Sequence, residues 1–218
     1  MAVAWNEDPA GSETRIAANI RAVGAQIYTE APRREPPSLA TAQDWHRAIY
    51  EGVPLPVPYY AGEVRDSDPR FPDLIDYEVQ IGHLRGVPAA QVPAELELLQ
   101  TRARNAIAGP DRAMPVGQPP ATPLELRSVL LLAANLHGEW VRIHPFANGN
   151  GRIARLWVLW VAARYGLPPF IRLKPRPAGL SYAAAALASM SGQHTLMAAV
   201  LGQMLGDYLT HPPSSKDS

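Results

Sequence analysis

Apolar residues recur at intervals of three and four along most of the chain, a period that is typical of helices burying one face. The first such stripe predicts a helix from about Ser12 to Tyr28. A second helix is predicted from an N-cap at Ser38 through Ile49, because a serine hydroxyl can accept a backbone N–H at a helix start. Proline-rich connectors separate these stretches and stop helical growth. The pattern therefore predicts a mainly α fold.

The second half of the chain carries further helix signals. The remaining predicted helices cover residues 93–108, 122–143, 151–165, 180–190 and 194–210. Gly109-Pro110 sets the predicted end of the first of these, since this pair commonly follows a helix C-terminus. Thr122 and Glu125 form a capping box that sets the start of the next helix.

Residues 59–92 differ from the helical pattern. Tyr77 to Ile81 alternates apolar and polar side chains, which is the strand period, and Gly82 follows. We expect an extended hairpin or flap here. The polar, proline-containing residues 66–76 are predicted to form its tip or an adjoining loop.

Charge and composition narrow the range of partners and chemistries that the chain can have. The chain has 218 residues, equal numbers of acidic and basic residues and no cysteine. Zero net charge removes the usual electrostatic reason to expect nucleic acid or an anionic membrane as a partner. Without cysteine there can be no disulfide or thiolate chemistry. The acidic N-terminus lacks signal-peptide character and no apolar run would span a membrane, so we expect a cytoplasmic protein.

Chemistry-bearing residues concentrate between the two most apolar helices. The segment runs His144-Pro145-Phe146-Ala147-Asn148-Gly149-Asn150-Gly151-Arg152-Ile153-Ala154-Arg155. Two glycines around an asparagine allow backbone N–H groups to turn inward at a helix N-terminus, an arrangement that binds phosphate oxygens. Arg152 and Arg155 lie three residues apart and share one helix face. Basic side chains at a helix N-terminus are unfavourable without a nearby anion, so they favour a phosphate ligand.

His144 precedes this nest and is the candidate general base. Its imidazole can accept a proton from a hydroxyl group near neutral pH. Phe146 is expected to anchor the loop in the core. Taken singly, a Gly-Asn-Gly turn, a histidine or a pair of arginines is usually structural. Their combination within 12 residues predicts a phosphate-handling site.

This segment resembles the signature of the Fic (filamentation induced by cAMP) family, His-Pro-Phe-x-(Asp/Glu)-Gly-Asn-Gly-Arg-x-x-Arg. It agrees at 11 of 12 positions when free positions count as agreement. Gly62 to Arg65 and Val79 to Gly82 also resemble the family's pre-flap and flap segments. The likeness extends over roughly residues 40–210.

The resemblance implies a Fic-type helical core with a small β-hairpin flap. The implied organisation is an N-terminal helical extension at 1–37, a Fic domain at 38–210 with its flap at about 59–92, and a disordered tail at 211–218. The implied activity is transfer of AMP from ATP to a Tyr, Ser or Thr hydroxyl of a target protein.

Site roles follow from the same resemblance. His144 would be the base, and Arg152 and Arg155 would hold the phosphate chain. The implied nucleotide-binding residues are Asn148, Gly149, Asn150, Gly151, Arg152 and Arg155. The flap residues Val79, Gln80, Ile81 and Gly82 would dock the target by main-chain pairing.

Asn148 departs from the signature, which has an acidic residue there. In the family that carboxylate binds Mg²⁺, and a neutral amide oxygen is a weaker ligand for this cation. Asn148 is therefore expected to contact Mg²⁺ only weakly. The alternatives are transfer of another group (UMP, GMP, phosphoryl or phosphocholine) and a weak or degenerate module that binds without turnover.

Many Fic proteins are inhibited through a helix of pattern (Ser/Thr)-x-x-x-Glu-(Gly/Asn). Glu51-Gly52 is the one Glu-Gly pair in the sequence, and Arg47 stands where the pattern needs Ser or Thr. The pattern fails. A separate antitoxin-like inhibitor, or no such control, is expected instead.

Overall fold

The computed structural model describes residues 3–66 and 68–212, over which the chain forms seven α-helices and one β-hairpin. The helices are α1 Glu13–Glu30, α2 Leu39–Ile49, α3 Val92–Ala113, α4 Pro123–Ile143, α5 Asn150–Arg164, α6 Leu180–Ser189 and α7 Thr195–Thr210. The mainly α prediction is confirmed. Most of the predicted tail at 211–218 lies outside the described residues.

Helix α5 lies at the centre of the fold. Almost all of its side chains are buried, and it packs against α1, α2 and α4. Trp157 and Trp160 are both buried in this core. Because α5 is held on several sides, its N-terminus is a rigid platform for a site.

The predicted helix starts are confirmed by their caps. Ser38 Oγ accepts the N–H of Thr41 at 3.1 Å. Thr122 Oγ1 accepts the N–H of Glu125 at 3.2 Å, and Glu125 Oε2 accepts the N–H of Thr122 at 3.0 Å. Each cap satisfies backbone groups that have no partner inside the helix.

The predicted end of α3 is wrong, because the helix continues past Pro110 to Ala113. Its last turn carries Asp111, whose carboxylate accepts hydrogen bonds from Arg164 Nη2 at 2.6 Å and Tyr165 Oη at 2.9 Å. The Arg164 side chain is 1% exposed and needs this partner. The ion pair therefore outweighs the backbone hydrogen bond that Pro110 cannot donate.

The predicted flap is a short antiparallel hairpin of β1 Gln80–Ile81 and β2 Leu84–Arg85. The strands are shorter than the alternating pattern suggests. Gly82 turns the chain with a φ of 61°. Residues 68–76 form an adjoining loop, which Leu74 ties to the core. Among the described helices, none combines the length and apolar character needed to cross a membrane.

Candidate active site

The loop between α4 and α5 is closed by the side chain of Asn150. Its Oδ1 accepts the N–H of Phe146 at 2.9 Å, and its Nδ2 donates to the carbonyl of Phe146 at 2.8 Å. The Asn150 side chain therefore shapes the loop and leaves only its backbone N–H for the predicted nest. The N–H groups of Arg152 and Ile153 already donate to the Gly149 carbonyl. The backbone N–H groups of Asn150 and Gly151 come before those of Arg152 and Ile153 at the helix start, where the helix dipole favours anions.

His46 supports this loop from α2, a role that the sequence did not indicate. Its ring stacks on Phe146 with centroids 3.9 Å apart, which confirms Phe146 as the loop anchor. His46 Nδ1 accepts the N–H of Gly62 at 2.9 Å, so Nε2 carries the hydrogen and donates to the Asn148 carbonyl at 3.1 Å. Burial lowers the pKa of His46 to about 3, so the ring is neutral and joins the pre-flap segment to the loop.

Gly149 is required at its position by both conformation and space. Its φ is 78°, in the left-handed region that side chains with a Cβ disfavour. A Cβ there would lie 2.7 Å from Tyr50 Oη and 2.8 Å from His46 Nε2. The predicted glycine turn is thus packed directly against α2.

His144 ends α4 in the left-handed conformation, with a φ of 53°. Its Nδ1 donates to the carbonyl of Val141 at 3.1 Å, so Nε2 carries the free lone pair. Burial lowers the pKa of His144 to about 4; the Val141 hydrogen bond opposes this shift and the charge of Arg65 adds to it. At neutral pH the ring is therefore an unprotonated base.

Arg65 connects the flap to His144 and is a second residue whose role the sequence did not indicate. Its side chain is fully buried and donates from Nε to the His144 carbonyl at 2.9 Å. Nη1 donates to the Tyr77 carbonyl at 2.7 Å, and Nη2 donates to the Val87 carbonyl at 2.9 Å. Burial lowers the pKa of Arg65 to about 10, which leaves it charged at neutral pH. The only signal in the sequence was its place in the pre-flap segment.

The flap residues differ in their exposure. Val79 is buried and its carbonyl accepts the N–H of Gly86 at 3.2 Å. Gln80 and Gly82 are exposed, and Ile81 is half-buried. Since the described sheet has two strands, each strand has an outer edge that another segment could pair with.

Both signature arginines lie in the first turn and a half of α5 and are 5% exposed. A Cβ on Gly151 would lie 3.5 Å from Arg155 Nη1, so this guanidinium borders the nest. Arg155 Nε donates to the Leu173 carbonyl at 3.0 Å. Arg152 instead contacts Tyr50 Oη and the N-terminal residue Asp8. The structure thus brings both arginines to the helix start, but the contact with the N-terminus was not foreseen.

The Asn148 side chain uses both of its polar atoms within the protein. Oδ1 accepts the N–H of Gly149 at 2.9 Å, and Nδ2 donates to the carbonyl of Trp5 at 2.8 Å. Among the described residues, no cluster of three or more His, Asp or Glu side chains could hold a metal ion. The Asn148 Oδ1 atom already accepts a backbone hydrogen bond, and a weak Mg²⁺ contact there stays a prediction.

Two polar residues of α4 have partners inside the fold. His137 is buried and its Nε2 bonds Tyr182 Oη at 2.7 Å, so it is a structural histidine. Arg142 pairs with Glu139 at 2.9 Å and with Glu95 at 2.5 Å. These carboxylates neutralise the charge of Arg142, so it is not a free cation beside the loop.

The sequence profile of the Fic/DOC family matches residues 36–162, which include the hairpin, the loop and most of α5. The chain belongs to the Fic/DOC family. Fic-domain proteins are generally transferases of nucleotidyl or other phosphate-containing groups.

Two known proteins are similar to this chain, one in sequence and one in fold. The chain is 54% identical over 37 residues to a uridine 5'-monophosphate transferase of Xanthomonas campestris pv. campestris (strain 8004), a match that covers 17% of this chain and 7% of that protein. The fold is also similar to a Fic domain containing signaling protein from Bacteroides thetaiotaomicron VPI-5482, with a TM-score of 0.58 at 20% identity. That alignment covers 96% of this chain and 78% of the other, and it supports the fold alone.

Proposed function

We propose that this Fic/DOC protein transfers a nucleoside monophosphate from a nucleoside triphosphate to a hydroxyl group of a target protein. The hydroxyl oxygen of a Tyr, Ser or Thr attacks the α-phosphorus. The bond from that phosphorus to the bridging oxygen of the β-phosphate breaks, and pyrophosphate leaves. His144 Nε2 accepts the proton of the attacking hydroxyl, so atoms and charges balance.

The state of His144 carries this proposal. Its Nδ1–H is bound to the Val141 carbonyl, and burial keeps the ring unprotonated at neutral pH. A general base needs this tautomer, because only Nε2 then has a lone pair to accept a proton. The loop closed by Asn150 joins this base to a helix N-terminus that carries two arginines. A base beside a phosphate-binding helix start suits attack on phosphorus.

The donor is expected to be ATP, which the resemblance to the Fic family implies. UTP is the second candidate, because the Xanthomonas relative is named as a uridine 5'-monophosphate transferase. The helix start and the arginines recognise phosphate groups and not bases, so they suit either donor. Target docking is assigned to the flap from Val79 to Gly82, whose backbone can pair with segments of varied sequence.

The test is to incubate the purified protein with each of the four nucleoside triphosphates and candidate target proteins, and to measure intact masses. We expect a mass increase that identifies the transferred group and disappears in His144→Ala. A modification that persists at the wild-type rate in His144→Ala would refute the role of His144. A mass increase that corresponds to a phosphoryl group without a nucleoside would refute the nucleotidyl assignment.

A second candidate, nucleotide binding without turnover, is favoured by one feature. Asn148 provides no anionic oxygen, and its amide is bound to Gly149 and to Trp5. Calorimetric nucleotide binding with no transfer to any protein in a cell extract would support this candidate. The variant Asn148→Asp tests whether the missing anionic oxygen is the cause. If the neutral side chain limits the rate, this variant should transfer faster in the presence of Mg²⁺.

A further inference from the structure

The N-terminal segment from Trp5 to Asp8 lies against the signature loop and the first turn of α5. The Trp5 carbonyl accepts Asn148 Nδ2 at 2.8 Å, and the Glu7 carbonyl accepts Arg152 Nη1 at 2.9 Å. The Asp8 carboxylate accepts Arg152 Nη2 at 2.7 Å. Donors of the signature loop and helix are thus paired with oxygens from this one segment.

Asp8 joins two cations that are far apart in sequence. Its Oδ2 accepts Arg152 Nη2, and its Oδ1 accepts Lys174 Nζ. Burial raises the pKa of the Asp8 carboxyl, but the hydrogen bond from Lys174 and the charges of Arg152 and Lys174 outweigh it, so the pKa is below its usual value. Arg152 and Lys174 therefore converge on one ionised oxyanion, and two oxygens of a phosphate group could bridge them in the same way.

Lys174 is held in this position by the signature helix itself. The adjacent Leu173 carbonyl accepts Arg155 Nε at 3.0 Å, so the loop that carries Lys174 is fastened to α5. Lys174 and Lys216 are the only lysines in the sequence. A cation that is fixed next to both signature arginines fits a phosphate chain better than it fits a general solvated surface.

The segment is anchored by Trp5, which is 6% exposed. Its ring lies 4.7 Å from the ring of Tyr50 and 5.8 Å from that of His46, measured between centroids. Asp8 itself is more exposed, with 41% of its side-chain surface accessible. The tryptophan can therefore stay buried while the carboxylate moves.

We propose that Arg152 and Lys174 form a subsite for a phosphate group of a polyphosphate ligand, and that Asp8 occupies this subsite in the free protein. A nucleoside triphosphate then has to displace the Asp8 carboxylate before its phosphate chain contacts Arg152. This deepens the proposed function and rests on it for the identity of the ligand. Binding of a polyphosphate at the subsite does not require transfer.

The first test is calorimetric binding of inorganic tripolyphosphate to the wild type, Asp8→Asn and Glu13→Gln. Glu13 is exposed in the first turn of α1, and its substitution changes the net charge by the same amount. Removing the competing carboxylate should tighten binding about tenfold in Asp8→Asn, since one charge-assisted hydrogen bond is of that order. Glu13→Gln should bind like the wild type. Equal affinity of all three proteins, or no binding by any of them, would overturn the proposal.

Lys174→Ala in the Asp8→Asn background tests the second cation. It should weaken tripolyphosphate binding about tenfold relative to Asp8→Asn alone. In the Lys174→Ala background, Asp8→Asn should tighten binding by a different factor than in the wild type, because the two residues contact each other. Lys174→Ala without any effect on binding would remove Lys174 from the subsite.

Site-resolved amine labelling gives a readout that a purely structural role would not produce. Lys174 should react faster in Asp8→Asn than in the wild type, with Lys216 as the internal reference, and tripolyphosphate should slow that reaction again. Labelling that tripolyphosphate leaves unchanged would contradict the subsite. If these results appear but no nucleotide is transferred, the proposed function fails and the subsite stands. If transfer occurs and Asp8→Asn changes neither binding nor labelling, the subsite alone fails.

Discussion

The variant His46→Phe removes the hydrogen bonds of the ring nitrogens but keeps an aromatic ring. It therefore tests the contribution of these hydrogen bonds to stability separately from that of ring stacking. Phenylalanine keeps an aromatic face for stacking on Phe146, which lies 3.9 Å away between centroids. It removes both hydrogen bonds, one with the Gly62 N–H and one with the Asn148 carbonyl. Each buried backbone group left without a partner costs about 1–3 kcal/mol. We therefore expect the free energy of unfolding to fall by about 2–6 kcal/mol at pH 7.5.

The pH dependence of the same variant gives a sharper result. In the unfolded chain His46 takes up a proton below its ordinary pKa of about 6.5, whereas burial lowers its pKa in the folded protein to about 3. Its contribution to stability is therefore complete above pH 6.5 and declines as the pH falls toward 3. Between pH 7.5 and 5 this loss amounts to about 2 kcal/mol in the wild type. His46→Phe has no titrating group at this position and so does not lose this stability. The difference in free energy of unfolding between the variant and the wild type should therefore be about 2 kcal/mol smaller at pH 5 than at pH 7.5.

The assay is urea unfolding followed by circular dichroism at pH 7.5 and at pH 5. His83→Phe is the control, because it changes an exposed histidine beside the flap turn. We expect the control to have wild-type stability at pH 7.5. If His46→Phe keeps the same deficit at both pH values, His46 is not a neutral buried group in the folded protein, and the reasoning is refuted.

Three further predictions test the loop, the base and the core. Gly149→Ala should lower the free energy of unfolding by at least about 1–3 kcal/mol, since the left-handed backbone and the contact with Tyr50 Oη both oppose a Cβ; a melting temperature equal to that of the wild type would contradict this. If the chain transfers nucleotide, kcat/KM should stay constant from pH 7.5 to 5.5, because burial lowers the pKa of His144 to about 4; an acid limb centred near 6.5 in a pH–rate profile would exclude this shift. Asp111→Ala should destabilise the fold by about 3–5 kcal/mol in urea unfolding, because it leaves the buried Arg164 guanidinium without its carboxylate; a loss below about 1 kcal/mol would mean that other groups satisfy Arg164.

Local signals in the sequence predicted most of the helices. Ser38 and the capping box at Thr122 determine helix starts through bonds to residues three positions away, so a short window contains the whole signal. The glycine turn around Asn150 is local in the same sense. The resemblance to the family signature added the proposed roles of the site residues, which neither periodicity nor capping can indicate.

Contacts between distant parts of the chain could not be predicted in this way. The end of α3 depends on an ion pair between Asp111 and Arg164, which lie 53 positions apart. His46 bonds to a carbonyl 102 positions away, and Asp8 bonds to Lys174 at a separation of 166. No local period marks these residues as partners. The sequence thus indicated the candidate site through its signature segment, but it did not indicate the residues of distant segments that contact this segment.

Arg65 has a consequence for how the flap can change during evolution. All of its acceptors described above, in Tyr77, Val87 and His144, are main-chain carbonyls. A substitution at position 77 or 87 keeps the carbonyl and so keeps the bond. If the hairpin docks targets as proposed, its exposed side chains can be exchanged to suit new target sequences while the hairpin stays fixed relative to His144. The protein would then acquire new targets with its loop and helix start unchanged, and loss of Arg65 would end that freedom.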